Sequence, residues 1–211
     1  MDLSLFRNCA ICSSWSGDIN VFCSSCWRDY FVESDPFRRN LYHDFPHPIF
    51  SLFVWKQDAS AVGHLIRSLK GDWGERTWKV LALQFAKKYC ASEKPIGPNT
   101  VFVPAPPQHV DQQDHAYLWA RALSEVFQAP LSTVLTRSSL GPQKRMGLTE
   151  RWHSVMGTKP EEAVDLSKSY IFVDDLITTG ATALAAWKAL GKPASFQVWT
   201  LASRPKINAV I

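Results

Sequence analysis

A chain of 211 residues, 46% hydrophobic and 20% charged, has the composition of a globular protein, which excludes a disordered or low-complexity one. Its net charge of +4 suits a phosphate-bearing or nucleic-acid partner without marking one. No apolar run approaches the roughly 20 residues that cross a bilayer, and Met1 to Arg7 lacks the charged and apolar regions of a secretory signal. No membrane span is therefore expected, and a cytoplasmic, reducing setting is the default reading.

In chain order, residues 1–30 carry four of the five Cys and several turn formers. Residues 31–50 hold Pro36, Pro46 and Pro48 among mixed charges and read as a linker. The main domain is expected over 51–211. Val62, Leu65, Ile66 and Leu69 fall at i, i+3, i+4 and i+7, which predicts an amphipathic helix over 60–70. A second helix is predicted over 75–90, carrying Trp78, Leu81, Ala82, Phe85 and Tyr89. Thr100 to Val103 reads as a short buried strand stopped by Pro104. A third helix is expected over 113–127, with Leu118, Ala122, Leu123 and Val126 inward.

Leu131 to Leu135 is a strand candidate, and 138–155 has no clean period and reads as a loop with room for a short helix. Ser169 to Val173 is apolar on both faces, as a strand of a covered parallel sheet must be. An Ala-rich helix is expected over 181–190 with Gly191 as its stop, and Phe196 to Leu201 as the last strand. Strands alternating with helices imply an α/β fold with a parallel sheet flanked by helices. Most of the nine Trp are expected in the core.

The most informative run is Ile171-Phe172-Val173-Asp174-Asp175-Leu176-Ile177-Thr178-Thr179-Gly180-Ala181-Thr182. In open α/β sheets ligands sit beyond the carboxyl ends of strands. A loop there that leads into a helix offers backbone N–H groups and a positive dipole end to a phosphate. Thr178, Thr179 and Thr182 add hydroxyl donors, and Gly180 permits close backbone approach. Asp174 and Asp175 suit ribose hydroxyls, or a Mg²⁺ that neutralises a diphosphate. The plain alternative is a strand end with solvated acids and an N-capped helix. The full order resembles the phosphoribosyl pyrophosphate (PRPP) signature of type I phosphoribosyltransferases. That resemblance implies that the two acids contact ribose hydroxyls and that Thr178, Thr179, Gly180, Ala181 and Thr182 hold the 5′-phosphate.

Cys9-x-x-Cys12 and Cys23-x-x-Cys26, ten residues apart, have the spacing of a tetrahedral four-thiolate metal site. Zn²⁺ is the expected ion, with iron as its rival, and a shell filled by Cys makes the metal structural. Cys90 reads as a small buried apolar residue. His64, His109, His115 and His153 have no recognisable partners and read as structural or surface residues.

A four-Cys knuckle joined to such a domain resembles the ComF (ComFC) competence family. Ala61 to Lys70 is similar to the family's helix ending in Leu-Lys, and Val103-Pro104-Ala105-Pro106 to its Val-Pro-x-Pro strand end. Arg137, Gln143 to Met146, Arg151 and Val155 follow its Arg…Gln-x-x-Leu…Arg-x-x-Asn-Val segment. The likeness runs from about residue 9 to 204. It departs where the family carries an Arg-Gly-Phe-Asn type of segment: here Asp111-Gln112-Gln113-Asp114-His115 lacks the basic residue and the glycine. Ser154 likewise stands in place of Asn.

The resemblance implies a role in natural transformation and DNA uptake, with PRPP, single-stranded DNA and a helicase-like motor as partners. Candidates to receive a pyrophosphate are Lys70, Ala105, Pro106, Arg145 and Arg151, with Lys144 reading as surface charge. No residue marks a general base. The alternatives are an active phosphoribosyltransferase and a regulatory adaptor that binds PRPP without turnover.

Overall fold

The structure, a computed structural model, describes residues 8, 9, 12, 14, 22–29, 38–39, 45–54, 75–107, 114–137, 156–160 and 163–204. The expected helix over 60–70, the loop 138–155, and with them Lys70, Lys144, Arg145 and Arg151 lie outside these residues.

A five-stranded sheet runs in the order β1 (Arg38–Arg39), β2 (Ile49–Val54), β7 (Phe196–Ser203), β6 (Ser169–Ile177) and β3 (Thr100–Pro104). Strands β2, β7, β6 and β3 are parallel, so their carboxyl ends share one edge, and β1 joins antiparallel to β2. The central strands are rich in Val, Ile, Phe and Trp and are buried on both faces, as helices on both sides of a parallel sheet require.

On one face lie α2 (Glu75–Ser92) and α3 (His115–Phe127), packed on each other and, through α3, on β6 and β3. In α2, Trp78, Leu81, Ala82, Phe85 and Tyr89 recur at helical spacing and are all buried. They meet Phe50, Phe102 and Trp199 of the sheet, with the Phe85 and Tyr89 rings 4.8 and 4.5 Å from that of Trp199. The other face is covered by α4 (Ala181–Ala189) and by an antiparallel pair of β4 (Leu135–Arg137) and β5 (Met156–Thr158). Small residues of α4, Ala183 and Ala186, let it lie close to Phe172 and Val198.

Several expectations need correction. Residues 31–50 read as a linker, yet Arg38–Arg39 and Ile49–Phe50 are sheet residues. Pro46 and Pro48 stand just before β2, where no ladder N–H is needed, and the Pro48 carbonyl accepts from Val198 N at 2.9 Å. Helix α3 buries Ala116, Trp119, Ala120, Ala122 and Leu123, whereas Leu118 and Val126 are half-buried, because the large Trp119 sets the inward face. Strand β6 continues through Asp174 and Asp175 to Ile177, held by β7 in the register Asp174↔Thr200 and Leu176↔Ala202. The acids are thus strand residues rather than residues after the strand.

Leu131 forms a lone parallel bridge with Phe102, and the strand begins later, at Leu135. Cys90 is exposed on the outer side of α2, not buried. Gly191 ends α4 as expected: its φ is +79°, and Lys192 N donates to the Trp187 carbonyl at 2.9 Å.

Candidate functional site

Two clusters of chemistry-bearing side chains stand out. The first lies at the carboxyl edge of the sheet, where β6 delivers Asp174 and Asp175 and the following turn delivers Thr178 to Thr182. Helix α4 starts from Gly180, which has φ +77° and ψ 0° and contributes no capping side chain. Ala181 N reaches Thr179 Oγ1 at a long 3.4 Å. The amino end of α4 therefore keeps donor capacity and its positive dipole end for an anion. Thr178 is exposed, Thr179 and Thr182 are half-buried, and the turn encloses a pocket of about 30 Å³.

The Asp174 carboxylate accepts from Asp175 N at 2.9 Å. Burial pushes the Asp174 carboxyl well above the usual carboxylate range, and the adjacent Asp175 charge pushes it further; Arg137 draws it back less strongly. Arg137, at the end of β4, also donates from Nε to the Pro106 carbonyl at 2.9 Å. Asp114 is an acid that the sequence reading gave no role. As the N-cap of α3 it accepts from Tyr117 N at 2.9 Å. Burial raises its pKa, and the Asp175 charge adds to the rise. An N-cap Asp in the segment between β3 and the next helix, on the edge that carries the Thr178–Thr182 turn, was the sequence signal for it.

At the expected pyrophosphate position, Ala105 N donates to the Val173 carbonyl at 2.8 Å and Pro106 has no N–H. Both residues are buried, so neither offers a backbone donor to an anion. A larger cleft, about 420 Å³, opens at the opposite edge of the sheet beside Tyr89, Ser92, Tyr170 and Gln197. Its lining has hydroxyls but a single acid, Glu93, and it meets the carboxyl end of α2 rather than a helix amino end, so size does not identify the site here. His115, half-buried, packs its ring 6.3 Å from that of Trp78, which fits its structural reading.

The second cluster is the expected ligand set Cys9, Cys12, Cys23 and Cys26, whose sulfurs all lie within 4.8 Å of one another. Tetrahedral bonding at ~2.3 Å would separate sulfurs by ~3.8 Å, and Cys12 Sγ is 3.7 Å from Cys23 Sγ. The set can hold a metal ion. Helix α1 (Ser24–Trp27) starts from Cys23, whose sulfur accepts from Cys26 N at 3.5 Å. Hydrogen bonds from Ser14 lower the Cys12 pKa to about 6, while burial, then the neighbouring thiols, push Cys26 up. Cys9, Cys26 and Phe22 belong to the same apolar cluster as Phe50, Phe85 and Trp199. The cysteine cluster is thus part of the wall of the main core.

Fold and site together define an α/β protein with a parallel sheet flanked by helices, an acid-bearing strand end leading into a helix amino terminus, and a four-Cys cluster. No family model matches the sequence, and no curated protein matches it. Among solved structures the chain is similar to Trypanosoma cruzi hypoxanthine phosphoribosyl transferase, with 18% identity over 63% of this chain and 74% of that one and a TM-score of 0.38. It is also similar to two structures of HPRT mutants in which an invariant aspartic acid becomes glutamic acid or glutamine. Each is 17% identical over 63% of this chain and 77% of the other, with a TM-score of 0.36. Among the described residues, no helix is long and apolar enough to cross a membrane.

Proposed function

We propose that the carboxyl-edge site binds a phosphoribosyl ligand such as PRPP, on a ComF-like protein of DNA uptake. The observation that carries the reading is the uncapped amino end of α4 at Gly180, set beside the Thr178, Thr179 and Thr182 hydroxyls and following Asp174 and Asp175. The turn supplies donors to a 5′-phosphate, and the acids accept from ribose hydroxyls. Mg²⁺, when bound with a diphosphate, would neutralise part of its charge. Cys9, Cys12, Cys23 and Cys26 hold Zn²⁺ as a structural ion, which the closed four-thiolate set favours.

Binding without turnover is favoured over phosphoribosyl transfer. Ala105 N is engaged by Val173 O, and Pro106 and Pro107 have no N–H, so the described residues that directly follow β3 offer no backbone donor to a leaving pyrophosphate. The Asp111–His115 segment lacks the basic residue and the glycine of the Arg-Gly-Phe-Asn type of segment that the resembling family has there, and it carries two acids. Single-stranded DNA and a helicase-like motor are the partners implied by the ComF resemblance, and the cytoplasm is the compartment.

The deciding experiment titrates PRPP and single-stranded DNA into the wild type and the Asp174→Asn/Asp175→Asn double variant, across a salt series. Loss of PRPP binding in the variant is expected, with no pyrophosphate released by the wild type. DNA affinity should fall steeply with salt, because phosphate contacts release counterions. Equal PRPP affinity in both proteins defeats the ligand reading, and salt-insensitive or absent DNA binding defeats the uptake reading.

A further inference from the structure

We propose that Phe45 is a positioning residue for the Thr178–Thr182 turn: its ring closes the open side of Gly180 and holds the amino end of α4 in the shape that receives a phosphate. The inference rests on the phosphate reading of that turn and adds to it a residue from the far side of the sequence.

Gly180 has φ +77°, where a side chain is strained, and it is buried. A Cβ built there would meet Phe45 Cδ2 at 3.1 Å, Cε2 at 3.5 Å and Cγ at 3.7 Å. The ring therefore occupies the space that the missing side chain leaves. Glycine is required twice here, once by the backbone and once by the ring.

Phe45 is itself held. Its ring lies edge-on to His47 at 5.7 Å between centroids. His47 lies 4.8 Å from Trp187 on α4 and 5.1 Å from Phe196 at the start of β7. One residue further on, the Pro48 carbonyl accepts from Val198 N, in the ladder that begins β2. Phe45 to Pro48 is thus a strap tied to the sheet at one end, to α4 in its middle, and to Gly180 at the other.

The turn needs such support. Gly180 gives α4 no side-chain cap, and the Thr179 hydroxyl reaches Ala181 N at only 3.4 Å. A cap would fix the first turn but would also consume the donors that an anion uses. Packing from behind fixes the turn and leaves those donors open. A ligand then meets groups already in place, and less ordering opposes binding.

The test compares the wild type with Phe45→Ala and Phe45→Leu, using ribose 5-phosphate and inorganic phosphate as probes in calorimetry. Amide hydrogen exchange is followed at Ala181, Thr182 and Ala183 without ligand. The alanine variant should exchange faster at those three amides while Phe102 and Phe172 in the sheet keep their protection. It should bind ribose 5-phosphate about tenfold more weakly. Leucine, which refills most of the space, should restore both. Unchanged exchange in Phe45→Ala overturns the proposal whatever the binding shows, and so does faster exchange with unchanged affinity. A wild type that binds neither probe overturns the phosphate reading of the turn, while the exchange comparison still decides whether Phe45 holds it.

Discussion

Arg137 Nε donates to the Pro106 carbonyl at 2.9 Å, which ties the end of β4 to the segment leaving β3 beside Asp174. Removing that bond with Arg137→Ala should cost about 1.5–3 kcal/mol, the range for hydrogen bonds that involve a charged group. Arg137→Lys should recover little, because an ammonium cannot reproduce the planar guanidinium geometry. Urea unfolding of the three proteins checks both statements.

Asp174 has a raised pKa in the folded chain, so the sign of its effect on stability is fixed. The unfolded carboxyl ionises near ~3.9, whereas burial and Asp175 keep the folded one protonated to higher pH. Stability from this group is fully present below the unfolded pKa and is lost as pH rises toward the folded pKa. Asp174→Asn should therefore raise Tm at pH 7, by about 2–4 °C for each kcal/mol relieved in a chain of this size. The gain should shrink as pH falls toward 4. An Asn variant less stable than wild type at pH 7 would contradict the assignment.

Cys12 is exposed, while Cys9 and Cys26 are buried in the core wall. Cys12→Ser thus removes a ligand with little change in packing, and its effect reports the metal. Bound metal should fall in elemental analysis, and Tm should drop by several degrees, toward the value of chelator-treated wild type. Because the cysteines share a core with Trp199, the intrinsic Trp emission should shift in the same transition. Full metal content in Cys12→Ser would rule out four-thiolate ligation.

The Ser51 and Thr200 hydroxyls are 2.8 Å apart and buried between β2 and β7. Ser51→Ala leaves the Thr200 hydroxyl without that partner and should cost about 1–3 kcal/mol. Adding Thr200→Val should cost less than the two single changes summed, since the pair is lost only once. Thermal unfolding of the double-mutant cycle measures this.

The stripe on α2 and the paired cysteines were legible because each is a local spacing with one physical meaning. The face of α3 was harder: alanines fit either side of a helix, and the choice fell to Trp119, which packs against α2 through Trp78 and Phe85. β2 was hidden by the prolines beside it, because a proline just outside a strand looks the same in sequence as one within a linker. The acids were located, but their extended conformation depends on β7 running on to Ser203, which no local pattern states. Arg137 on Pro106 and Phe45 on Gly180 join residues distant in sequence, and only the folded chain brings them together.

The lone bridge at Leu131 bears on how the molecule behaves among its own copies. Strand β3 is the margin of the sheet, and its outward residues are Thr100, Phe102 and Pro104. Thr100 N is taken by Gly97 O and Phe102 N by Pro130 O; Ser132 N takes Phe102 O, and Pro104 has no hydrogen to give. A sheet margin with open amides invites a stray strand from another molecule. Here the outward amides of β3 are already taken or, at Pro104, absent, so among the described residues a stray strand finds no backbone donor to pair with along this margin.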